Sequence, residues 1–296
     1  TDTRNVAMNR ISQTAFLMTL ASWATIVTPI AAQGPSGPSR PTKSAERDRF
    51  AARYEHGTLE RLTVEGRDAY LIRPKGPIDS ARRWVWIAPF WLGIDNEQGR
   101  VEHRFYVERF LAKGFHVAGI DVGTSCGSPA SAKVNQAFYE RLTSKFSLNR
   151  KARLIGQSNG GLIAYAWAFR HPDSVDRIFG IYPATDFRTW PGLEKVLTFP
   201  PSGLGYDLTL PELTCRAAEF NPIDNLAPLA KARVKILHIH GDMDLVVPAG
   251  PNSETFVERY NALGGRARLI SVPGVGHQAV KAFYECQAAA DFLLAD

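Results

Sequence analysis

The sequence predicts an α/β fold: a mainly parallel, doubly wound sheet with helices on both faces and an insertion, a lid or cap, after the sixth strand. Three observations carry that prediction. From Thr58 onward, short apolar runs of strand length recur between segments of helix length. Several of those runs are almost unbroken in Val, Ile, Leu and aromatic residues, the pattern of strands buried on both faces. The chain has 296 residues, 45% hydrophobic and 22% charged, enough to bury such a sheet within one large domain.

The elements follow in order. "TLERLTVEG" and "RDAYLIRP" form a hairpin about Gly66, and "RWVWIAPF" is the first strongly buried strand. A helix over "VEHRFYVERFLAKG" closes at Gly114 and leads to the strand "FHVAGIDVG". Next come the helix "SAKVNQAFYERLTSKF", the strand "ARLIGQ", the helix "NGGLIAYAWAFRH" and the strand "VDRIFGIYP". From Ala184 to Ala230 the periodicity weakens while Pro, Trp and Phe accumulate. An insertion of that length is expected to be a lid or binding wall, with a plain structural excursion as the alternative. Alternation resumes with "VKILHIHGDMD", the helix "SETFVERYNALGG", the strand "ARLISVPG" and a last helix in the amphipathic segment "AVKAFYECQAAADFLLAD". The chain has no internal repeat.

Residues 1–32 read as a secretory signal peptide. Arg4 and Arg10 supply the charge, "ISQTAFLMTLASWATIVTPIAA" the apolar stretch, and Ile30-Ala31-Ala32 before Gln33 the cleavage point, with Met8 as the true start. The Ser, Gln, Thr and Pro in that stretch make it too polar for a bilayer span, so no stable membrane insertion is expected after cleavage. Export to a periplasm or beyond the cell is the expectation. Residues 33–50, containing "GPSGPSRPT", read as a disordered linker, and residues 51–296 as the globular domain with its insertion at 184–230. The formal charge of +6 and pI near 9.3 come from scattered lysines and arginines, which argues against a nucleic-acid partner. Cys126, Cys215 and Cys286 allow at most one disulfide, Cys215 with Cys286 being conceivable, and none sits in a turn that would make it a nucleophile.

Gly156-Gln157-Ser158-Asn159-Gly160 fits G-x-S-x-G between a strand and a helix, the setting in which this motif is a nucleophile elbow. Such a turn brings strand and helix backbones too close for side chains and holds the serine in a strained conformation. Ser158 then stands at the N-terminus of a helix, where free N–H groups can stabilise an oxyanion. A serine hydroxyl needs a base, and the base an orienting acid. His277 in "SVPGVGHQ" follows the last strand in a glycine-containing loop. Of the two carboxylates in "HIHGDMDLVVP", Asp244 is the expected acid, because the turn at Gly241 directs the third residue after it toward the histidine; Asp242 is expected to bond its own turn. His238 and His240 alternate on that strand as packed or structural residues, and they lack a third ligand for a metal. No metal or cofactor is expected.

Ser158, Asp244 and His277 occur in the chain order of the α/β-hydrolase triad. The chain resembles an α/β-hydrolase from Thr58 to Leu294, and "HGDMDLVVP" with "VPGVGH" resembles the carboxy-terminal half of prolyl-oligopeptidase-like and acetyl-xylan-esterase-like members. One departure stands out. Many relatives carry His-Gly or a glycine run after the third strand, where this chain has "IAPFWLG". Pro89 has no N–H to offer, so the expected oxyanion hole combines the backbone of Asn159 with that of Phe90 or Trp91. Trp91, Gln157 and Tyr182 are the expected substrate-binding residues. Glu97, Arg100 and His103 read as solvated loop residues, and Asp121 and Ser125 as supports.

The resemblance implies an exported serine-dependent carboxylic ester hydrolase working through an acyl-enzyme. Its expected partner is a small-molecule or oligosaccharide ester, most specifically a short acyl ester of a carbohydrate. A prolyl-oligopeptidase-like peptidase is the alternative, although those relatives usually carry an amino-terminal propeller and only about fifty residues precede this sheet. A binding protein that kept the fold without catalysis is a second alternative.

Overall fold

The computed structural model describes residues 54–89 and 103–296. The expected leader, the linker and the segment holding Phe90, Trp91, Glu97 and Arg100 lie outside the described residues. Among the described residues, no helix is long and apolar enough to cross a membrane.

Among the described residues, eight strands form one sheet: β1 (Gly57–Val64), β2 (Arg67–Pro74), β3 (Trp84–Ala88), β4 (His116–Ile120), β5 (Ala152–Gln157), β6 (Val175–Ile181), β7 (Lys235–Gly241) and β8 (Arg266–Val272). Their order is β1-β2-β4-β3-β5-β6-β7-β8. The β1–β2 hairpin, joined through Glu65 and Gly66, pairs antiparallel, and β2 runs antiparallel to β4. Every other pairing is parallel. This is the α/β-hydrolase fold.

Strand alternation explains why helices cover both faces. Trp84, Trp86 and Ala88 of β3 enter one apolar cluster while Val85 and Ile87 enter the other. Likewise Leu154, Ile178 and Ile236 point to the first cluster, and Ile155, Phe179 and Leu237 to the second. Burying each such Val, Leu, Ile or Phe side chain stabilises the fold by about 1.5–3 kcal/mol. The first face is closed by α2 (Pro129–Lys145), α3 (Asn159–Ala168) and α7 (Thr255–Ala262). Trp86 packs there against Phe138 and Trp167, with ring centroids 5.1 and 4.9 Å apart. The second face is closed by α1 (Arg104–Ala112), α8 (Lys281–Tyr284) and α9 (Gln287–Leu294).

One detail departs from the sequence reading. The last helix is broken, with α8 ending at Tyr284 and α9 starting at Gln287. The Tyr106 hydroxyl, reaching in from α1, donates to the Phe283 carbonyl at 2.7 Å and accepts from the Cys286 N–H at 3.2 Å, replacing helical bonds with tertiary ones. The insertion folds into α4 (Leu193–Thr198), α5 (Leu210–Phe220) and α6 (Ala227–Lys231). In α5, which opens on a Thr209–Glu212 capping box, only Leu213, Ala217 and Phe220 are buried. That single narrow stripe is why the segment shows so little periodicity. With Phe187, Val196 and Tyr206 it joins a third apolar cluster containing Leu162 and Val247, and Asn252 Oδ1 accepts from the Thr185 and Asp186 N–H groups at its start. Cys126, Cys215 and Cys286 are all free thiols.

The interior also holds uncharged histidines. Burial pulls His103 and His116 down to about 4 each, and burial together with the nearby His240 pulls His238 to about 3. The sign follows directly: unfolding returns these rings to a value near 6.5, so between about pH 4 and 6.5 the unfolded chain holds more protons. Their contribution is fully present above pH 6.5 and is lost as pH falls. Unfolding near pH 5 should take up about three protons on their account, read as the slope of unfolding free energy against pH in urea titrations. A slope of zero between pH 4 and 6 would contradict neutral burial.

Candidate active site

Ser158 occupies the one-residue apex between β5 and α3. Its backbone has φ 51° and ψ −123°, a region that costs a residue with a Cβ on the order of 1–3 kcal/mol. The surroundings hold it there: Ser158 N–H donates to the Ile181 carbonyl at 3.0 Å, and its own carbonyl accepts from the Gly161 and Ala184 N–H groups at 2.9 Å each. Close approach explains the glycines. A Cβ on Gly160 would fall inside the contact shell of the Ala88 carbonyl, and one on Gly161 inside that of the Ala184 carbonyl. With the backbone fully engaged, the side chain is left to its one described partner. Ser158 Oγ lies 2.9 Å from His277 Nε2.

His277 and Asp244 come from loops at the ends of neighbouring parallel strands. His277 Nδ1 is 2.7 Å from Asp244 Oδ2, while Asp244 Oδ1 accepts from the Val246 and Val247 N–H groups at 2.9 and 2.8 Å. Because the carboxylate can only accept, Nδ1 carries the hydrogen and Nε2 is left free to accept the serine proton. Burial by itself would raise the Asp244 carboxyl. Donation from His240, His277 and the Val247 N–H outweighs it and holds the group well below the ordinary carboxylate range.

The two loops are fastened to each other. Met243 N–H donates to the Val275 carbonyl at 3.0 Å, Asp242 N–H to the Val272 carbonyl at 3.3 Å, and the Gly274 N–H to Asp242 Oδ1 at 2.7 Å. Asp242 therefore bonds across to the histidine loop instead of its own turn, because the two chains run side by side beyond the sheet. A Cβ on Gly241 would collide with the Val275 carbonyl. Gly241→Ala should force the loops apart and, with misplacement near 1 Å costing about 10²-fold, cut kcat by that order at nearly unchanged KM. A kcat within twofold of wild type would show the spacing to be irrelevant.

A family model for the prolyl oligopeptidase family matches residues 136–295, more than half of the chain and including Ser158, Asp244 and His277. The chain belongs to the prolyl oligopeptidase family. Membership agrees with the α/β-hydrolase fold of the sheet described above. Similar solved structures include a puromycin hydrolase (19% identity, TM-score 0.56, 76% of this chain and 36% of that one). A puromycin-hydrolyzing peptidase of Mycobacterium tuberculosis is 16% identical with TM-score 0.60, over 81% of this chain and 39% of that one. Dipeptidyl peptidase 4 of Porphyromonas gingivalis is 16% identical with TM-score 0.61, over 84% and 37%. The chain thus spans little more than a third of the length of these proteins. No curated protein matches it.

In this member of the prolyl oligopeptidase family, a second polar cluster backs the serine. Gln157 is buried; its Nε2 donates to the hydroxyls of Tyr182 and Tyr284 at 2.8 and 2.7 Å, and its Oε1 faces His103 Nε2 at 2.7 Å. The two tyrosine hydroxyls also bond each other. The Gln157 amide is thus spent on protein partners. Tyr182 packs its ring against the imidazole of His277, centroids 4.4 Å apart, so it walls the histidine. His103 is not solvated as its loop setting suggests: it is 1% exposed, because Gln157 and the edge of Tyr284 enclose it. Neither Tyr284 nor His103 lies near a motif that would place it here. Asn159 opens α3 with its side chain buried. Phe90 and Trp91, the other expected oxyanion donors, lie outside the described residues.

Proposed function

We propose that the protein is an exported serine hydrolase that cleaves carboxylic esters through Ser158, His277 and Asp244, with short acyl esters of carbohydrates as its substrates. The observation that carries the chemistry is the unbroken hydrogen-bonded line Ser158 Oγ, His277 Nε2, His277 Nδ1, Asp244 Oδ2, with links of 2.9 and 2.7 Å. Both distances lie within the roughly 2.6–3.2 Å reach of general base catalysis.

As Ser158 Oγ attacks the ester carbonyl, His277 Nε2 takes its proton and the imidazolium is stabilised by the Asp244 carboxylate. The oxyanion develops at the N-terminus of α3, where the Asn159 N–H supplies one donor. The tetrahedral adduct collapses as His277 returns the proton to the departing alcohol, leaving the acyl group on Ser158. Water, deprotonated by His277, then attacks the acyl-enzyme; carboxylate leaves and Ser158 recovers its proton. Tyr182 behind the imidazole restricts its tilt.

The ester preference and the carbohydrate class rest on the likeness of "HGDMDLVVP" and "VPGVGH" to acetyl-xylan-esterase-like sequences, and export rests on residues 1–32. A second reading, a peptidase, is favoured by the names of the similar structures, which are mainly peptidases. The discriminating experiment compares p-nitrophenyl acetate, butyrate and octanoate with aminoacyl p-nitroanilides on the protein lacking residues 1–32. Ester turnover falling from acetate to octanoate, with release of acetate from acetylated xylo-oligosaccharides, supports the first reading. Faster anilide than acetate turnover would replace it with the second.

A further inference from the structure

Behind the acid lies a line of buried polar side chains that the mechanism above does not use. Tyr165, His238 and Ser253 are 0% exposed and His240 1%. Tyr165 comes from α3, both histidines from β7, and Ser253 from the turn that precedes α7. The Tyr165 hydroxyl lies 2.7 Å from His238 Nε2; His238 Nδ1 lies 3.0 Å from Ser253 Oγ; Ser253 Oγ lies 2.7 Å from His240 Nδ1. His240 Nε2 lies 2.8 Å from the Val247 carbonyl and 3.3 Å from Asp244 Oδ2. We infer that these four side chains form a one-way chain of hydrogen-bond donation ending on the Val247 carbonyl beside Asp244 Oδ2, which makes His240 a positioning residue for the acid.

The direction follows from counting hydrogens. At the inner end His240 Nε2 meets only acceptors, a carbonyl and a carboxylate oxygen, so Nε2 carries the hydrogen. In neutral His240, Nδ1 is then bare and takes the single Ser253 hydroxyl hydrogen. Ser253 Oγ is left to accept from His238 Nδ1–H, and the bare His238 Nε2 accepts from the Tyr165 hydroxyl. Every link is satisfied with both rings neutral. The reverse direction needs a second proton on His240 and hence a buried cation. Neutrality of His238 agrees with its burial, which pulls it to about 3.

The chain bears on the active site at one atom. Asp244 Oδ2 receives His277 Nδ1–H and faces His240 Nε2 at 3.3 Å, whose shorter bond, 2.8 Å, goes to the carbonyl of Val247, the residue whose N–H with that of Val246 holds Oδ1. A histidine restricted to one tautomer is a donor that cannot turn away, so the oxygen facing His277 keeps its place through the catalytic cycle. Ser253 enforces the tautomer and His238 with Tyr165 enforces Ser253.

This inference rests on the proposed triad and is tested through Asp244. The second-order rate of Ser158 labelling by a fluorophosphonate, and kcat and KM for p-nitrophenyl acetate, are measured for His240→Leu, His240→Gln and Ser253→Ala, each with Asp244 intact and in an Asp244→Asn background. Expected is a loss of about tenfold or more in kcat and labelling for His240→Leu with KM within about twofold, near recovery in His240→Gln, whose amide Nε2–H can take the donor's place, and a smaller loss for Ser253→Ala. All three effects should vanish once Asp244 is asparagine. Equal fold-losses in both backgrounds, or His240→Gln as impaired as His240→Leu, would overturn the inference. Should His240→Leu not fold, the same comparison with His240→Gln and Ser253→Ala decides. Failure of the triad itself is read separately: a wild-type protein whose hydrolysis survives Ser158→Ala overturns both readings, whereas loss in Ser158→Ala with additive His240 and Asp244 effects sinks only the donor chain.

Discussion

Ser158→Ala should reduce hydrolysis of p-nitrophenyl acetate by on the order of 10⁴–10⁶-fold in kcat while leaving KM and the melting temperature close to wild type. The physical case is that everything else at the elbow survives the change. The Ser158 N–H keeps the Ile181 carbonyl and the Ser158 carbonyl keeps the Gly161 and Ala184 N–H groups, so the α3 N-terminus stays where the oxyanion needs it. Only Oγ, 2.9 Å from His277 Nε2, is removed. Fluorophosphonate labelling should disappear in parallel. A variant that kept a tenth of the wild-type rate would mean that another group attacks the substrate.

Asp244→Asn is expected to cost on the order of 10³–10⁴-fold in kcat, because an amide in that place favours the wrong His277 tautomer. The neighbourhood sharpens the expectation. Both oxygens are surrounded by donors: Val246 and Val247 N–H at Oδ1, His277 and His240 at Oδ2. Whichever way the amide turns, its NH₂ group faces donors, leaving a buried conflict that should destabilise the fold by about 1–3 kcal/mol. At roughly 2–4 °C of melting temperature per kcal/mol for a domain of this size, calorimetry resolves that loss. The stability difference also has a pH sign. The Asp244 carboxyl is held below its unfolded value, so its contribution is present above about pH 3.9 and is lost as pH falls through the lower folded value. The gap between wild type and Asp244→Asn should therefore close in strong acid and stay constant from pH 5 upward. A gap that widened on acidification would contradict the donor-rich setting of Asp244.

The parts of the site that the sequence discloses are those made by local chain geometry. Gly156 to Gly160 announces a turn, and His277 and Asp244 follow strands whose ends point to the same edge, so three positions about 120 residues apart at the extremes can be picked from motif and strand order. What escapes is whatever depends on side chains from separate elements meeting. His103 sits in a polar loop by sequence and in a buried cluster by structure, since Gln157 and Tyr284 arrive from β5 and α8. Asp242 reads as a turn former because nothing in its own segment reveals that Gly274 lies alongside. The fold behaves in the same way. The sheet is legible because its strands are apolar on both faces, whereas the break between α8 and α9 is not, because one hydroxyl from α1 makes it. The insertion hides its helices for a related reason: α5 buries a single stripe, and its core partners lie elsewhere in the chain.

Asp244 and His277 stand on loops of adjacent strands fastened together by Asp242, Met243, Gly274 and Val275, while Ser158 follows the end of β5, on the far side of β6. The gene encodes this arrangement in two blocks. A single recombination upstream of the codon for Lys235 transfers acid, base, the fastening between them and all of the buried donor chain except Tyr165 as one inherited cassette. Chimaeras joined between β6 and β7 should keep the acid and base in register with each other, while Tyr182, Gln157 and Tyr165, which meet His277, Tyr284 and His238 across the join, limit which upstream sequences can supply the serine.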